Sequence, residues 1–223
     1  MKRFILLAIM VPIAAIVSAQ NSDNNPAQPK DMVLVSEWVD GNYLVRRYMI
    51  RRIDGEAQYD MHYSVSASKL SDLMKGNAAE IADIDNMMAS LKSDTTKHVQ
   101  RIEIKGYASP DGNKQNNEAL AMSRAKRFQE WLDYRYLPWI SQYKVQLSAY
   151  AEDWADCDNA VQSSGMSDKT AVLAILDSSM TSAQKEQKLK TMPQVWRVFR
   201  EQILPMMRRV DMTIYYKIGR AHV

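Results

Sequence analysis

A chain of 223 residues, 46% apolar and 25% charged, is long enough for one domain with a sizeable core, within the usual range of about 50 to 250 residues. Its formal charge of +3 comes from the ends, because Lys2 and Arg3 supply two units and Arg220 the third. The interior is neutral on balance, which leaves no field to argue for nucleic acid or an anionic membrane surface as a partner. Cys157 is the single cysteine, so no intrachain disulfide can form, and it reads as a half-buried thiol without a role.

Lys2 and Arg3 precede an apolar stretch, Phe4 to Val17, that closes on Val17-Ser18-Ala19, the small residues a signal peptidase reads. The stretch is too short for a transmembrane helix, which needs about 20 apolar residues. Residues 1–19 are therefore read as an export signal, and residues 20–30, rich in Asn, Asp, Pro and Gln, as a flexible leader. No cysteine follows the signal, so a soluble envelope protein beginning near Gln20 is expected, without a lipid anchor or a transmembrane segment in the mature chain.

Asp40-Gly41 and Asp54-Gly55 each separate β-rich segments and predict two hairpin turns. Residues 31–57 thus form an N-terminal hairpin extension. A three-stranded meander is completed by the alternating segment Tyr59, Met61, Tyr63, Val65 and Ala67. This is far too little for a membrane barrel, which needs at least about eight strands. Asn77-x-x-Glu80 reads as a capping box with Asn as the cap, and Ile81, Ile84, Met88 and Leu91 follow at helical spacing.

In the run Ile102 to Arg127, Ile102, Ile104 and Gly106 alternate with Glu103 and Lys105, the pattern of a strand buried on one face. Ser109-Pro110-Asp111-Gly112 supplies a tight turn. A helix is expected from Asn116 or Asn117 to about Tyr136, with Ala121, Ala125, Phe128 and Leu132 as its buried row. The free N–H groups at its start favour carboxylates, and Arg124, about two turns in, carries a guanidinium that can fork onto one.

Pro138 ends that helix, and Val145, Leu147 and Ala149 form the next strand. Glu152, Asp153, Asp156 and Asp158 read as a solvated acidic loop, since the offsets, central Gly and distal Glu of a calcium loop are missing. Asp168 is placed to cap 171–176 and Thr181-x-x-Gln184 to cap 183–190, and another helix carries Val195, Trp196, Phe199 and Ile203 up to Pro205. These helices make residues 155–205 an insertion. The last strand is Arg208 to Ile214, and residues 218–223, IGRAHV, read as the translation of a sequencing adapter and hence as a non-native tail. The order βββαβαβααβ gives an α+β fold, a two-layer sandwich with helices on one face of a mixed sheet. His62 and His98 have no nucleophile or metal-ligand spacing around them, so no catalytic residue, metal or cofactor is expected and the protein is not read as an enzyme.

The strand–turn–helix run resembles the C-terminal, peptidoglycan-associating domain of the OmpA family, whose helix reads Asn-x-x-Leu-x-x-x-Arg-Ala, as Asn117, Leu120, Arg124 and Ala125 do here. The family's Gly-x-x-Asp turn is altered, because Ser109 stands three residues after Gly106 and the nearest carboxylate is Asp111. Arg208-Arg209-Val210 is similar to the family's closing strand, so the resemblance spans 58–217. The long helical insertion is closer to a divergent branch of envelope and fimbria-associated proteins. The resemblance implies a βαβαβ core and an exported protein of a Gram-negative periplasm, or of the periplasmic face of the outer membrane. Its implied partner is peptidoglycan, with Asp111 and Arg124 gripping the two ends of a diaminopimelate side chain and Ser109, Asn117 and Arg209 beside them. Outer-membrane or fimbrial proteins are further partners. The alternative is a structural or assembly accessory protein that keeps the fold and has lost wall binding. Arg124→Ala is expected to abolish retention on sacculi with the fold intact.

Overall fold

The structure is a computed structural model that describes residues 5–12, 32–50, 53–166 and 168–219. It divides into two compact units, residues 1–55 with 217–223, and residues 56–216. The predicted leader and all but two residues of the predicted tail lie outside the described residues.

The first unit is a three-stranded antiparallel sheet of β1 (Ile5–Pro12), β2 (Met32–Asp40) and β3 (Tyr43–Ile50), in the order β1-β3-β2. Asp40 pairs with Tyr43, so Gly41 and Asn42 form the two-residue hairpin turn, and Gly41 supplies the left-handed φ of +57° that such a turn requires. Glu37 sits opposite Arg46 and pairs with it at 2.6 Å, and the Arg47 guanidinium lies 5.2 Å from the centre of the Trp38 ring. The expected meander is corrected. Its third strand is β1, drawn from the predicted export signal, whereas β4 (Ile53–His62) joins the other sheet. Asp54-Gly55 is no hairpin turn but lies within β4, since a local dipeptide preference yields to the strand ladder around it.

The second unit holds a four-stranded sheet in the order β4-β7-β5-β6, with β5 at Lys97–Tyr107, β6 at Val145–Tyr150 and β7 at Arg209–Ile218. β5 and β6 run parallel, with Ile102 opposite Val145. The end of β4 meets the start of β7 where the Tyr63 N–H donates to the Arg208 carbonyl at 2.7 Å, so these two run in opposite directions and the sheet is mixed. Helices α1 (Asn77–Ser93) and α2 (Lys114–Tyr136) bury Ile84, Met88, Leu91, Ala125, Phe128 and Leu132 against Met61, Ile102, Ile104, Val210, Met212 and Ile214. The other face of β5 and β7 is polar: Arg101 pairs with Glu103 at 2.8 Å and stacks 3.6 Å from the centre of the Tyr215 ring. This is the α+β arrangement the hydrophobic periods predict.

Two boundaries differ from expectation. The alternating pattern through Ala67 overshoots, because the chain leaves the sheet after His62, turns at Ser66 with φ +55° and leaves Val65 exposed. Asn77 does not cap α1. That position is held by Gly76 at φ +95°, and the buried Asn77 side chain accepts from the His62 N–H at 2.9 Å while donating to the carbonyls of His62 and Ser71. It stands in for a neighbouring strand at the end of β4, which satisfies backbone groups that burial would otherwise penalise.

Between β6 and β7 the insertion has its own core of Cys157, Val161, Val172, Leu176, Leu189, Val195, Phe199, Ile203 and Leu204. Its helices are α3 (Trp154–Ser163), α4 (Lys169–Leu176), α5 (Ser182–Lys190) and α6 (Pro193–Val198), the last running on through a π turn over Phe199–Ile203. The capping box of Thr181 and Gln184 forms as predicted. The acidic loop is corrected, since Asp153 caps α3 by accepting from the Asp156 N–H at 3.1 Å and Asp156 lies in the first turn, where carboxylates suit the helix dipole. Cys157 is wholly rather than half buried, and desolvation, helped by Asp153 and Asp156, pushes its thiol upward.

Gly106 fixes the distance between the layers. A Cβ there would lie 2.0 Å from the Ala121 carbonyl oxygen and 3.2 Å from the Ala125 nitrogen, both backbone atoms of α2. Gly106→Ala should therefore cost more than about 3 kcal/mol or prevent folding. Gly112→Ala, with open space but a φ of +92°, should cost only about 1 kcal/mol. Urea denaturation of the two variants checks this, and a wild-type midpoint for Gly106→Ala would contradict it.

Candidate functional site

The signature residues meet where β5 ends, α2 begins and β7 enters the sheet. Asn113 caps α2, its side chain accepting from the Asn116 N–H at 3.1 Å, so the helix starts at Lys114 rather than at Asn116 or Asn117. Asn117 instead reaches back from the first turns and donates to the carbonyls of Ser109 and Asp111, both at 2.9 Å. It holds the 109–112 turn against the helix.

Arg124 lies under this turn and is wholly buried. Its Nη1 donates to the Tyr107 carbonyl at 2.6 Å, Nε to the Ala67 carbonyl at 2.8 Å and Nη2 to the Ser64 carbonyl at 3.2 Å. The guanidinium also lies 5.3 Å from the centre of the Tyr63 ring. Among the described residues no carboxylate pairs with it. Burial pulls its pKa down to about 10; the Tyr63 phenol opposes that shift and the Arg208 charge adds to it, so the group stays charged at neutral pH. The expected open fork is not what the structure presents, because the three N–H directions tie α2 to the end of β5 and to the segment after β4. Retention of the fold in Arg124→Ala is no longer expected either, since the substitution empties a buried site and removes three part-buried hydrogen bonds that join separate stretches of chain.

The other expected residues are placed differently from one another. Ser109 is nearly buried, and its Oγ accepts from Arg208 Nε at 3.2 Å. The Asp111 Oδ1 is buried and finds no hydrogen-bond partner among the described residues. Its carboxylate acts on the Cys157 thiol, whereas the groups that act on Arg124 are the Tyr63 phenol and the Arg208 guanidinium. Arg209 faces a separate acidic cluster, where it donates to Asp211 at 2.8 Å, to Asp153 at 3.2 Å and to Asp156. It lies 4.0 Å from the centre of the Tyr107 ring, which stacks on Tyr150 with ring centres 5.0 Å apart. Burial lowers the Arg209 pKa, but Asp211, Asp156 and Asp153 outweigh it and leave the group raised.

Sequence reasoning missed Tyr107, Tyr150 and Asp211, which carry no motif and show only as polar or aromatic positions within strands. Two surface cavities lie elsewhere. One of about 420 Å³ is lined by Met166, Asp168, Val195 and Arg197, and one of about 500 Å³ by Met122, Lys126 and Glu130. Among the described residues no group of His, Cys, Asp and Glu could hold a metal ion, and no helix is long and apolar enough to cross a membrane.

The fold and site define an α+β domain with a helical insertion, in which Arg124 is held inside the fold. No family model matches the chain, and no curated protein matches it.

Burial pushes the Asp211 carboxyl up to about 6, with Arg209 pulling it down and Asp60 pushing it further up. Its folded pKa lies above the unfolded value of about 3.9, so its contribution to stability is full below about pH 4 and is lost as pH rises through about 6. Asp211→Asn should therefore gain stability relative to wild type between about pH 4 and pH 7. Urea midpoints at stepped pH measure the difference, and a constant offset across that window would count against it.

Proposed function

We propose that this chain is a non-enzymatic, exported protein of the cell envelope, a structural or assembly accessory of the outer envelope or of fimbriae built on an OmpA-like domain that does not hold peptidoglycan. The strand–turn–helix signature and the sheet order β4-β7-β5-β6 around α1 and α2 support the fold-family reading. The observation that carries the loss of wall binding is Arg124, fully buried with its three N–H directions on the carbonyls of Ser64, Ala67 and Tyr107. A ligand carboxylate would have to displace charge-assisted bonds worth about 1.5 to 3 kcal/mol each before it gained any of its own. Ser109 in the family's Asp position, engaged by Arg208, supports the same reading.

A second reading, non-covalent wall binding at 109–117 and Arg124, is favoured by one specific mismatch. Among the described residues Arg124 is a buried cation without a carboxylate, and the Asp111 Oδ1 is a buried acceptor without a donor. A zwitterionic diaminopimelate side chain would supply both, provided the segment after His62 opened.

The purified mature protein should show no retention on sacculi and no heat on titration with a diaminopimelate stem peptide. Saturable, salt-weakened binding would overturn the first reading. Arg124→Met should lower stability by more than about 3 kcal/mol, because it removes three charge-assisted hydrogen bonds worth about 1.5 to 3 kcal/mol each. A stable Arg124→Met protein with lost wall binding would favour the second reading.

A further inference from the structure

The first unit places the predicted export signal in an unexpected role. Its apolar run Ile5–Pro12 is paired antiparallel with β3 over eight residues, Ile5 opposite Ile50 through Pro12 opposite Tyr43, without a break in register. Cleavage after Ala19, the event that the exported-protein reading rests on, removes β1. It uncovers one whole edge of β3, a row of unpaired N–H and C=O groups beside the buried Val45 and Tyr48. We propose that this vacated edge of β3 in the mature protein is a strand-acceptor site, filled by an extended apolar segment of another polypeptide.

Strand register and charge decide which edge and which occupant. The outer edge of β2 is blunted, because a register shift between Leu34 and Ser36 bulges that strand, and bulges discourage edge pairing. The β3 edge has no such interruption. Along it, Ala8 lies opposite Arg47 and Ile9 opposite Arg46, so the present occupant sets uncharged residues against both cations. A second copy of β3 laid antiparallel along the same edge and centred on the strand would set Arg46 against Arg46 or Arg47 against Arg47, and like charges directly opposite each other destabilise a sheet pair. The occupant is therefore a foreign strand, apolar at its ends and neutral or acidic where it faces Arg46 and Arg47. Main-chain hydrogen bonds would give its affinity and the two arginines its register.

The test uses the exported protein purified from the envelope. Intact mass reports whether residues 1–19 are gone; their retention on the exported chain would overturn the proposal without touching the reading of Arg124, which sacculus retention measures separately. Hydrogen exchange on the mature chain should find the edge-facing amides of Tyr43–Ile50 fast, and a synthetic peptide spanning Arg3–Pro12 should slow them in a saturable way. A peptide carrying Ala8→Lys and Ile9→Lys should bind several-fold more weakly, and one carrying Ala8→Glu and Ile9→Glu at least as well as the parent. Protection of β3 in the mature monomer without peptide, protection only in a homodimer, or no effect of the peptide would each overturn it.

Discussion

Helix α2 can lie against β5 only where β5 has no side chain. At Gly106 the backbone of the strand meets the Ala121 carbonyl and the Ala125 nitrogen of the helix, a separation that even one methyl group would forbid. The small residues Ala121 and Ala125 present the matching face, and Phe128 and Leu132 continue the same row into the core. Because that contact sets the helix so low on the sheet, Arg124, one turn beyond Ala121, points into the layer between them rather than out to the rim. Its reach to the Tyr107 carbonyl follows directly.

Two arginines at this end of the sheet illustrate how surroundings choose between uses of one side chain. Arg124 is met by carbonyl oxygens from three separate stretches of chain, so its planar fork acts as a knot among β5, α2 and the segment after His62. Arg209 is met by carboxylates from β7 and from the first turn of α3, and its face covers Tyr107. The first costs desolvation without a counter-charge and returns order to a turn that would otherwise be loose. The second joins the insertion electrostatically to the sheet, and burial, with Asp60 and Asp156 adding to it and Arg209 opposing it, keeps the Asp211 proton on to unusually high pH.

The insertion behaves as a small helical body with its own apolar centre. Cys157, Val161, Leu189 and Phe199 close a core separate from that of the sheet, and Trp154 at the start of α3 donates its Nε1–H to Ser182 Oγ at 2.9 Å to bind the first helix to α5. Asp153 serves twice there, as the cap of α3 and as a partner of Arg209. A residue that reads in sequence as one more charge in a solvated loop is thus the joint between two cores.

Much of the architecture was legible because hydrophobic period is a local property. The buried rows of α1 and α2, the β5 and β7 alternations, the Gly41 turn and the Thr181 capping box all follow from neighbours within a few positions of each other. What depends on residues far apart in the chain was not. Asp54-Gly55 carries a hairpin signal and lies in a strand, Asn77 carries a cap signal and clamps His62, and neither outcome can be computed without the partner strand in place. The sequence by itself determined which residues turn inward, and it placed Arg124 beside an apolar row. Whether that guanidinium meets a ligand or the protein's own carbonyls was decided only by the tertiary structure, because Ser64 and Ala67, which engage it, stand 60 and 57 residues away and are brought to it by the folding of the sheet.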